Sequence, residues 1–248
     1  MVVLEAASDV GGGARTKELT EPGFLHDVCS AIHPMGISSP FLKTLPLDEH
    51  GLEWVHPLAP LAHPLDDQPA AMLEQDLEAT AATLGADGER YISWMKPWIP
   101  RWEGLCGDAL APLGIPKHPI WMAQFGLSAF RAASGLANSR FREPAARALF
   151  AGLAGHSVMP LELSPSSAIG IMLGIAGHAV GWPMPKGGSQ SISDALASLL
   201  KSLGGHIQTG TRVTHLDQIP TTGPILFETA PARLVDIAGD ELPPDRGS

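Results

Sequence analysis

The sequence predicts an α/β fold in which a mostly helical segment separates two α/β parts. The apolar run Val2–Leu4 has the length of a buried strand and leads directly into a glycine-rich loop. From residue 38 to residue 181, apolar residues recur at helical spacing between proline-containing turns. A turn, a helix and short strands follow Trp182. We therefore predict three parts, covering residues 1–37, 38–181 and 182–248.

The central part is expected to contain most of the helices. Trp94, Trp98 and Trp102 recur at four-residue steps, which favours a core stripe rather than a cofactor site. Asp66-Asp67 is typical of a turn. Helices are expected at residues 72–84, 120–136, 143–153 and 164–179, and at 89–102, where Pro97 and Pro100 break or kink the helix.

In the last part, a helix should begin at Ser189 or Ser191, either of which can cap it, and end at Leu203 before Gly204. Residues 243–248 are expected to be a loose tail. Strands are expected at residues 207–209, 211–216 and 224–228, followed by a short helix at 231–238.

Composition excludes several classes of function. The 248 residues carry a net charge of -10 and no run of Lys and Arg, so nucleic acid is not an expected partner. Cys29 and Cys106 lack the spacing of a zinc site or a disulfide framework, and both are expected to be buried free thiols. The 10 histidines show no metal-binding spacing, so no metal is expected.

No integral membrane segment is expected. The most apolar stretch, residues 168–182, is interrupted by glycines and His178 and falls short of the roughly 18 apolar residues of a membrane span. No basic segment of a secretory signal follows Met1. These observations predict a cytoplasmic location and leave peripheral membrane contact open.

Glu5 is the first candidate binding residue. An acidic side chain at the end of a Rossmann-type strand can accept hydrogen bonds from both ribose hydroxyls of an adenine dinucleotide. The Gly11 and Gly12 backbone lets N–H groups approach a pyrophosphate, and Arg15 can pair with phosphate oxygens. Without Glu5, the three glycines from Gly11 to Gly13 would be interpreted as a flexible turn.

The N-terminal motif resembles the flavin-dependent phytoene desaturase, carotenoid isomerase-like and amine oxidase family. Members carry a strand ending in Glu, a Gly-Gly loop with a nearby Arg, and an extended segment with Gly-Phe and Asp. In the common form Arg follows the glycine pair directly, whereas Gly13 and Ala14 intervene here. The residues that match in order are Glu5, Gly11, Gly12, Arg15, Gly23, Phe24 and Asp27.

A second motif about 180 residues later resembles the same family. Pro185-Lys186-Gly187-Gly188 precedes the helix and strand that lead to Val213. The resemblance implies that Gly187 and Gly188 belong to the cofactor site and that the backbone of Val213 contacts adenine. It also implies a Rossmann-like FAD-binding domain of the glutathione-reductase type, interrupted by a helical substrate segment.

The expected function is FAD-dependent hydride abstraction from an apolar or amine small-molecule substrate. No catalytic side chain stands out in the sequence. The fingerprint GxGxxG should end roughly 20 residues before the ribose-binding acid, but only four residues precede Glu5. We therefore expect a fragment that lacks this unit and the family's C-terminal part and is inactive alone. Two alternatives stay open: a non-catalytic binding or interaction protein derived from a truncated flavoenzyme, and a product of a misplaced start codon or a split gene.

Overall fold

The structure, a computed structural model, describes residues 1–112, 114–219 and 223–242. The described residues contain both helices and short strands, so the mixed α/β composition is confirmed. The strands are β1 (Val2–Leu4), β2 (Thr16–Glu18), β3 (Leu25–Asp27), β4 (Trp54–Val55), β5 (Leu61–Leu65), β6 (Gln68–Leu73), β7 (Met184–Pro185) and β8 (His206–Gln208). The helices are α1 (Pro34–Ser38), α2 (Leu77–Ala82), α3 (Gly88–Met95), α4 (Trp102–Ala109), α5 (Pro119–Ala129), α6 (Ala133–Arg140), α7 (Pro144–Gly155), α8 (Ser167–Ala179), α9 (Gln190–Ser202) and α10 (Pro231–Ala238).

Each sheet in the described residues has two strands. β1 pairs in parallel with β8, whereas the pairs β2–β3, β4–β7 and β5–β6 are antiparallel. The β1–β8 pair joins the two ends of the chain, which the sequence assigned to one domain. A Rossmann-like sheet stays a prediction.

Helices α7 and α8 form the centre of the main core. Leu149 and Leu153 on α7, and Ile171 and Ile175 on α8, are almost fully buried at four-residue spacing. Gly170 allows the two helices to approach closely, since a Cβ atom there would lie 3.0 Å from the Cβ of Ala154. Small residues therefore set the separation of these two helices.

The tryptophan stripe belongs to this core, as predicted. Trp94 and Trp102 are buried, and the partly buried Trp98 packs against them. Among the cysteines, Cys106 is buried as expected but Cys29 is exposed. Cys29 follows strand β3 in a surface loop, so that expectation was wrong.

The expected helix at 72–84 was wrong in its first half. Residues Gln68–Leu73 form β6, which pairs with β5 across the predicted turn at Asp66-Asp67. Ala71 and Leu73 alternate with less buried neighbours and are themselves fully buried. The helix begins only after Asp76, whose carboxylate accepts the N–H of Ala79 at 2.7 Å.

Other element boundaries also differ from the expectations. The single helix expected at 120–136 is divided into α5 and α6, because the hydroxyl of Ser166 accepts the N–H of Ala133 at the break. Residues 211–216 and 224–228 form no strands, although β8 and α10 occur where expected. The expected tail at 243–248 lies outside the described residues.

Candidate functional site

Glu5 lies at the carboxyl end of β1, beside the segment that contains Val213. Its N–H donates to the carbonyl of Gln208 at 2.9 Å, and its own carbonyl accepts the N–H of Thr211 at 2.8 Å. Val213 is half-buried two residues further on. The parallel pairing of β1 with β8 therefore places these two predicted site residues on neighbouring segments.

The carboxylate of Glu5 is held in place through one of its oxygens. Oε1 accepts the N–H of Ala7 at 2.7 Å, which fixes the side chain against the turn that follows β1. The side chain is half-buried, and Oε2 has no hydrogen bond to any residue that the structure describes. This oxygen can accept a hydrogen bond from a ligand hydroxyl.

The glycine loop forms a tight turn with unpaired amides. Gly11 and Gly12 have φ angles of 121° and 53°, and the N–H of Ala14 donates to the carbonyl of Gly11 at 2.8 Å. The N–H groups of Gly12 and Gly13 make no hydrogen bond within the described part of the chain. Nothing lies within 4 Å of a Cβ placed at Gly12, so its backbone can be approached from outside.

Arg15 folds back over this loop. Its Nε atom donates to the carbonyl of Gly12, which holds the guanidinium against the loop. Arg15 forms no ion pair with the carboxylates of the described residues. The loop therefore carries both an unpaired positive charge and free N–H donors, two kinds of group that suit phosphate oxygens.

Gly187 and Gly188 serve a different local purpose, which is to form the turn before α9. Their φ angles are 83° and 99°. A Cβ atom at Gly188 would lie 2.9 Å from the Cβ of Thr16, so only glycine fits against β2. These two predicted site residues therefore pack the second motif onto the first.

The N-terminus of α9 is already occupied by a carboxylate of the chain. Asp27 accepts the N–H of Ser189 at 2.8 Å and the hydroxyl of Thr16 at 2.6 Å through the same oxygen. The hydroxyl of Thr16 also accepts the N–H of Gln190 at 3.1 Å. Because Asp27 brings negative charge to this helix end, α9 does not offer a phosphate site here.

Ser189 does not cap the helix through its side chain, although it occupies the expected position. Its hydroxyl donates to the carbonyl of Ser30 and lies 2.8 Å from Nε2 of His33. Burial lowers the pKa of His33, while the charge of Asp27 acts in the opposite direction. His33 thus helps to anchor α9.

Two residues of this arrangement were not among the predicted site residues. Asp27 matched the family pattern, but its capping contact joins residues 162 positions apart. Thr16 bridges 174 positions to Gln190, and no local signal indicates such a contact.

An open groove of about 680 Å³ lies beside the motifs, between the loop after β1, β2, α9 and β8. Val10, Thr16, Gln190 and Thr209 are among its lining residues, and Lys17 and Asp9 form an ion pair of 3.7 Å at its edge. Within the described residues, no group of three or more His, Cys, Asp or Glu side chains is placed to hold a metal ion. No helix among those residues is long and apolar enough to cross a membrane.

The groups of this site can be compared with those of a flavin adenine dinucleotide. Its ribose hydroxyls fit the free oxygen of Glu5, and its pyrophosphate fits the amides of Gly12 and Gly13 together with Arg15. The N-terminus of α9 does not fit a phosphate, because the carboxylate of Asp27 already brings negative charge to it. The 248 residues contain no GxGxxG sequence. The residues present therefore match the adenosine diphosphate half of the dinucleotide in part.

Comparison with known proteins identifies one matching family model. Residues 100–236, more than half of the chain, match the model described as flavin containing amine oxidoreductase. A search of curated proteins found no match.

Among solved structures, the PF1083 protein from Pyrococcus furiosus is similar, with a TM-score of 0.52 and 13% sequence identity. The similarity covers 98% of this chain, and the chain spans 57% of the length of that protein. At this identity the likeness concerns the fold alone.

Proposed function

The chain belongs to the family of flavin-containing amine oxidoreductases, and we propose that it works in FAD-dependent hydride abstraction from an apolar or amine substrate. One observation carries this proposal. Two motifs resembling a dinucleotide site meet in space through hydrogen bonds between residues 162 to 180 positions apart. In this proposal, residues 1–37 and 182–248 hold FAD, and residues 38–181 bind the substrate.

Glu5 has the clearest role in this proposal. Its Oε2 atom accepts hydrogen bonds from the ribose hydroxyls, while the bond from Ala7 to Oε1 keeps the carboxylate in position. The backbone of Val213 lies on the neighbouring segment and contacts the edge of adenine. Because Glu5 and Val213 are joined through β1 and β8, they recognise the adenosine end together.

The glycine loop is proposed to hold the pyrophosphate. The free amides of Gly12 and Gly13 donate to its oxygens, and Arg15 balances its charge. Gly11 allows the loop to lie against α9, because a Cβ atom there would come within 2.7 Å of Ser193 Oγ. Gly187 and Gly188 support the site by fixing the start of α9 beside Thr16. The bound flavin would accept the hydride, and the protein would orient the substrate and exclude water.

The experiment is a calorimetric titration of the chain with FAD, ADP and riboflavin, each in a separate run. FAD and ADP should bind with similar affinity, since the chain contacts the half that they share, and riboflavin, which lacks that half, should not bind. Glu5→Ala should weaken ADP binding by roughly 1–3 kcal/mol, the loss expected for hydrogen bonds to a charged acceptor.

Glu18→Ala is the matched control, because Glu18 is exposed at the end of β2 and its side chain makes no hydrogen bond or ion pair in the described structure. This variant should bind ADP like the wild type. Equal ADP affinity for Glu5→Ala and the wild type would remove Glu5 from the proposed site. Binding of riboflavin as tight as that of ADP would contradict recognition of the adenosine end.

A further inference from the structure

A second cleft, of about 450 Å³, lies where α3, the end of α6 and the start of α7 meet. Four arginines line it, Arg90, Arg140, Arg142 and Arg147, and we call it the arginine cleft. They are a quarter of the 16 basic residues of a chain whose net charge is -10. Such a concentration of one charge in an acidic protein requires a physical explanation.

Little negative charge balances this cluster. Asp87 is the carboxylate that contacts it, with Oδ1 lying 3.4 Å from Arg90 Nη1. Oδ2 of Asp87 accepts the backbone N–H groups of Arg142 and Glu143 at 2.5 and 2.6 Å. Asp87 is buried, and Arg90 is the cleft arginine whose guanidinium it pairs with in the described structure.

Of the remaining arginines, Arg140 and Arg147 are held by neutral groups. The guanidinium of Arg140 lies 4.5 Å above the ring centre of Trp94, and its buried Nε atom has no hydrogen-bond partner. Arg147 Nε donates to the carbonyl of Phe141 at 2.9 Å. The side chain of Arg142 is exposed and makes no hydrogen bond or ion pair within the described residues.

The contacts of Arg90, Arg140 and Arg147 therefore hold positive charge in place before any ligand binds. Burial lowers the pKa of Arg140, and the charge of Arg131, which lies outside the cleft, lowers it further. An anion in the cleft could pair with several guanidinium groups at once. Pre-positioned cations also reduce the entropy that is lost on binding.

We propose that the arginine cleft binds the phosphate group of a small molecule, at a site separate from the flavin site. Guanidinium groups pair with phosphate oxygens through two parallel hydrogen bonds, and several of them match a dianion better than a single carboxylate. Ser93 and Asn138 line the same cleft with exposed side chains that can add neutral donors. The cleft has the volume of a small-molecule site, so it can hold part of an organic group as well as the phosphate.

The test is calorimetric titration of the full chain with inorganic phosphate, phenyl phosphate and acetate, with chloride keeping the ionic strength constant. Both phosphates should bind saturably at one site, and acetate should bind much more weakly. Tighter binding of phenyl phosphate would identify an organic phosphate as the ligand, and equal binding would identify free phosphate. Either result supports a phosphate site, whereas equal binding of acetate, or no saturable binding of either phosphate at millimolar concentration, would overturn it.

Variants separate a built site from general attraction of anions. Arg142→Gln should weaken phosphate binding about tenfold, the loss of one charged hydrogen-bonding group, without affecting the fold. Arg147→Lys keeps the charge but loses the planar fork, so it should bind less tightly than the wild type. Arg212→Gln removes an exposed arginine outside the cleft and should change nothing. If Arg212→Gln and Arg142→Gln weaken binding equally, the attraction is not specific to the cleft.

The proposed phosphate site is independent of the proposed flavin site, since the two share no residue. Adenosine has the ribose hydroxyls proposed to bind Glu5 but no phosphate for the cleft, so its affinity should be the same for Arg142→Gln and the wild type. Weaker phosphate binding with unchanged adenosine binding would therefore show that the two sites are separate.

Discussion

His178 and Tyr91 form a buried polar pair in the main core. Nε2 of His178 lies 2.8 Å from the hydroxyl of Tyr91, and Nδ1 lies 3.3 Å from the carbonyl of Gln75. A carbonyl can only accept, so Nδ1 carries the proton and Nε2 accepts from the Tyr91 hydroxyl. Burial lowers the pKa of His178 and raises that of Tyr91, and both side chains are therefore neutral near pH 7.

This pair predicts a loss of stability in acid. The pKa of His178 is lowered by burial from its ordinary value of 6.5. The unfolded chain therefore binds a proton at a pH where the folded chain does not, and the free energy of unfolding decreases as the pH falls below 6.5. In urea titrations at pH 7.5, 6.5 and 5.5, the wild type should lose stability more steeply than His178→Gln.

The control for this prediction is a surface histidine. His206 is exposed in β8, so His206→Gln should show the acid loss of the wild type. Parallel pH dependence for His178→Gln and the wild type would assign the loss to other groups.

Helix α9 is positioned by residues that are distant in sequence. Its amphipathic sequence and its end before Gly204 predict the helix from local signals alone. Sequence also indicated Ser189 or Ser191 as the cap, but Ser189 makes no side-chain cap, and its own N–H donates to the carboxylate of Asp27. A contact across 162 residues depends on tertiary structure, and therefore only the helix itself could be predicted.

At this element, Asp27→Asn should weaken the attachment of α9. The amide still occupies the space but loses the charge that favours the N–H of Ser189 and the hydroxyl of Thr16. We expect a decrease in the free energy of unfolding of about 1 kcal/mol, typical of a helix cap. Urea unfolding followed by circular dichroism measures it, with Glu18→Gln as an exposed control that should leave stability unchanged.

The β5–β6 hairpin shows another limit of local sequence patterns. Leu73, Leu77 and Leu84 have helical spacing, yet Leu73 belongs to β6 and α2 begins only at Leu77. The turn at Asp66-Asp67 was predicted, and the capping carboxylate of Asp76 marks the true start of the helix. Burial of Leu73 against Gly177 of α8 favours the strand, and this packing is not visible in local periodicity.

On the scale of the whole molecule, the buried core is distributed unevenly. The main cluster runs from Ala71 to Trp182 and lies in the central part. The second cluster consists of Leu47, Leu52 and Ala195, with partly buried neighbours. Strands β1 and β8 contain no buried residue, and Val2 is 60% exposed. The segments that carry the proposed flavin contacts therefore have much less apolar burial than the helical part.

This distribution predicts that the two parts open with different free energies. Amides of β1 and β8, such as those of Val3 and Ile207, should exchange hydrogen through local opening, because little apolar surface is exposed when this pair separates. Amides of α7 and α8, such as those of Leu153 and Ile175, should exchange only through global unfolding. Native-state hydrogen exchange at increasing urea concentration measures this, since only the second group should show a strong dependence on urea. Asp27→Asn should increase exchange in the flavin-contact segments and leave α7 and α8 close to the wild type, because the contact it removes lies outside the main core. Equal opening free energies for all four strands and helices would mean that the molecule unfolds as one cooperative unit, in spite of its uneven core.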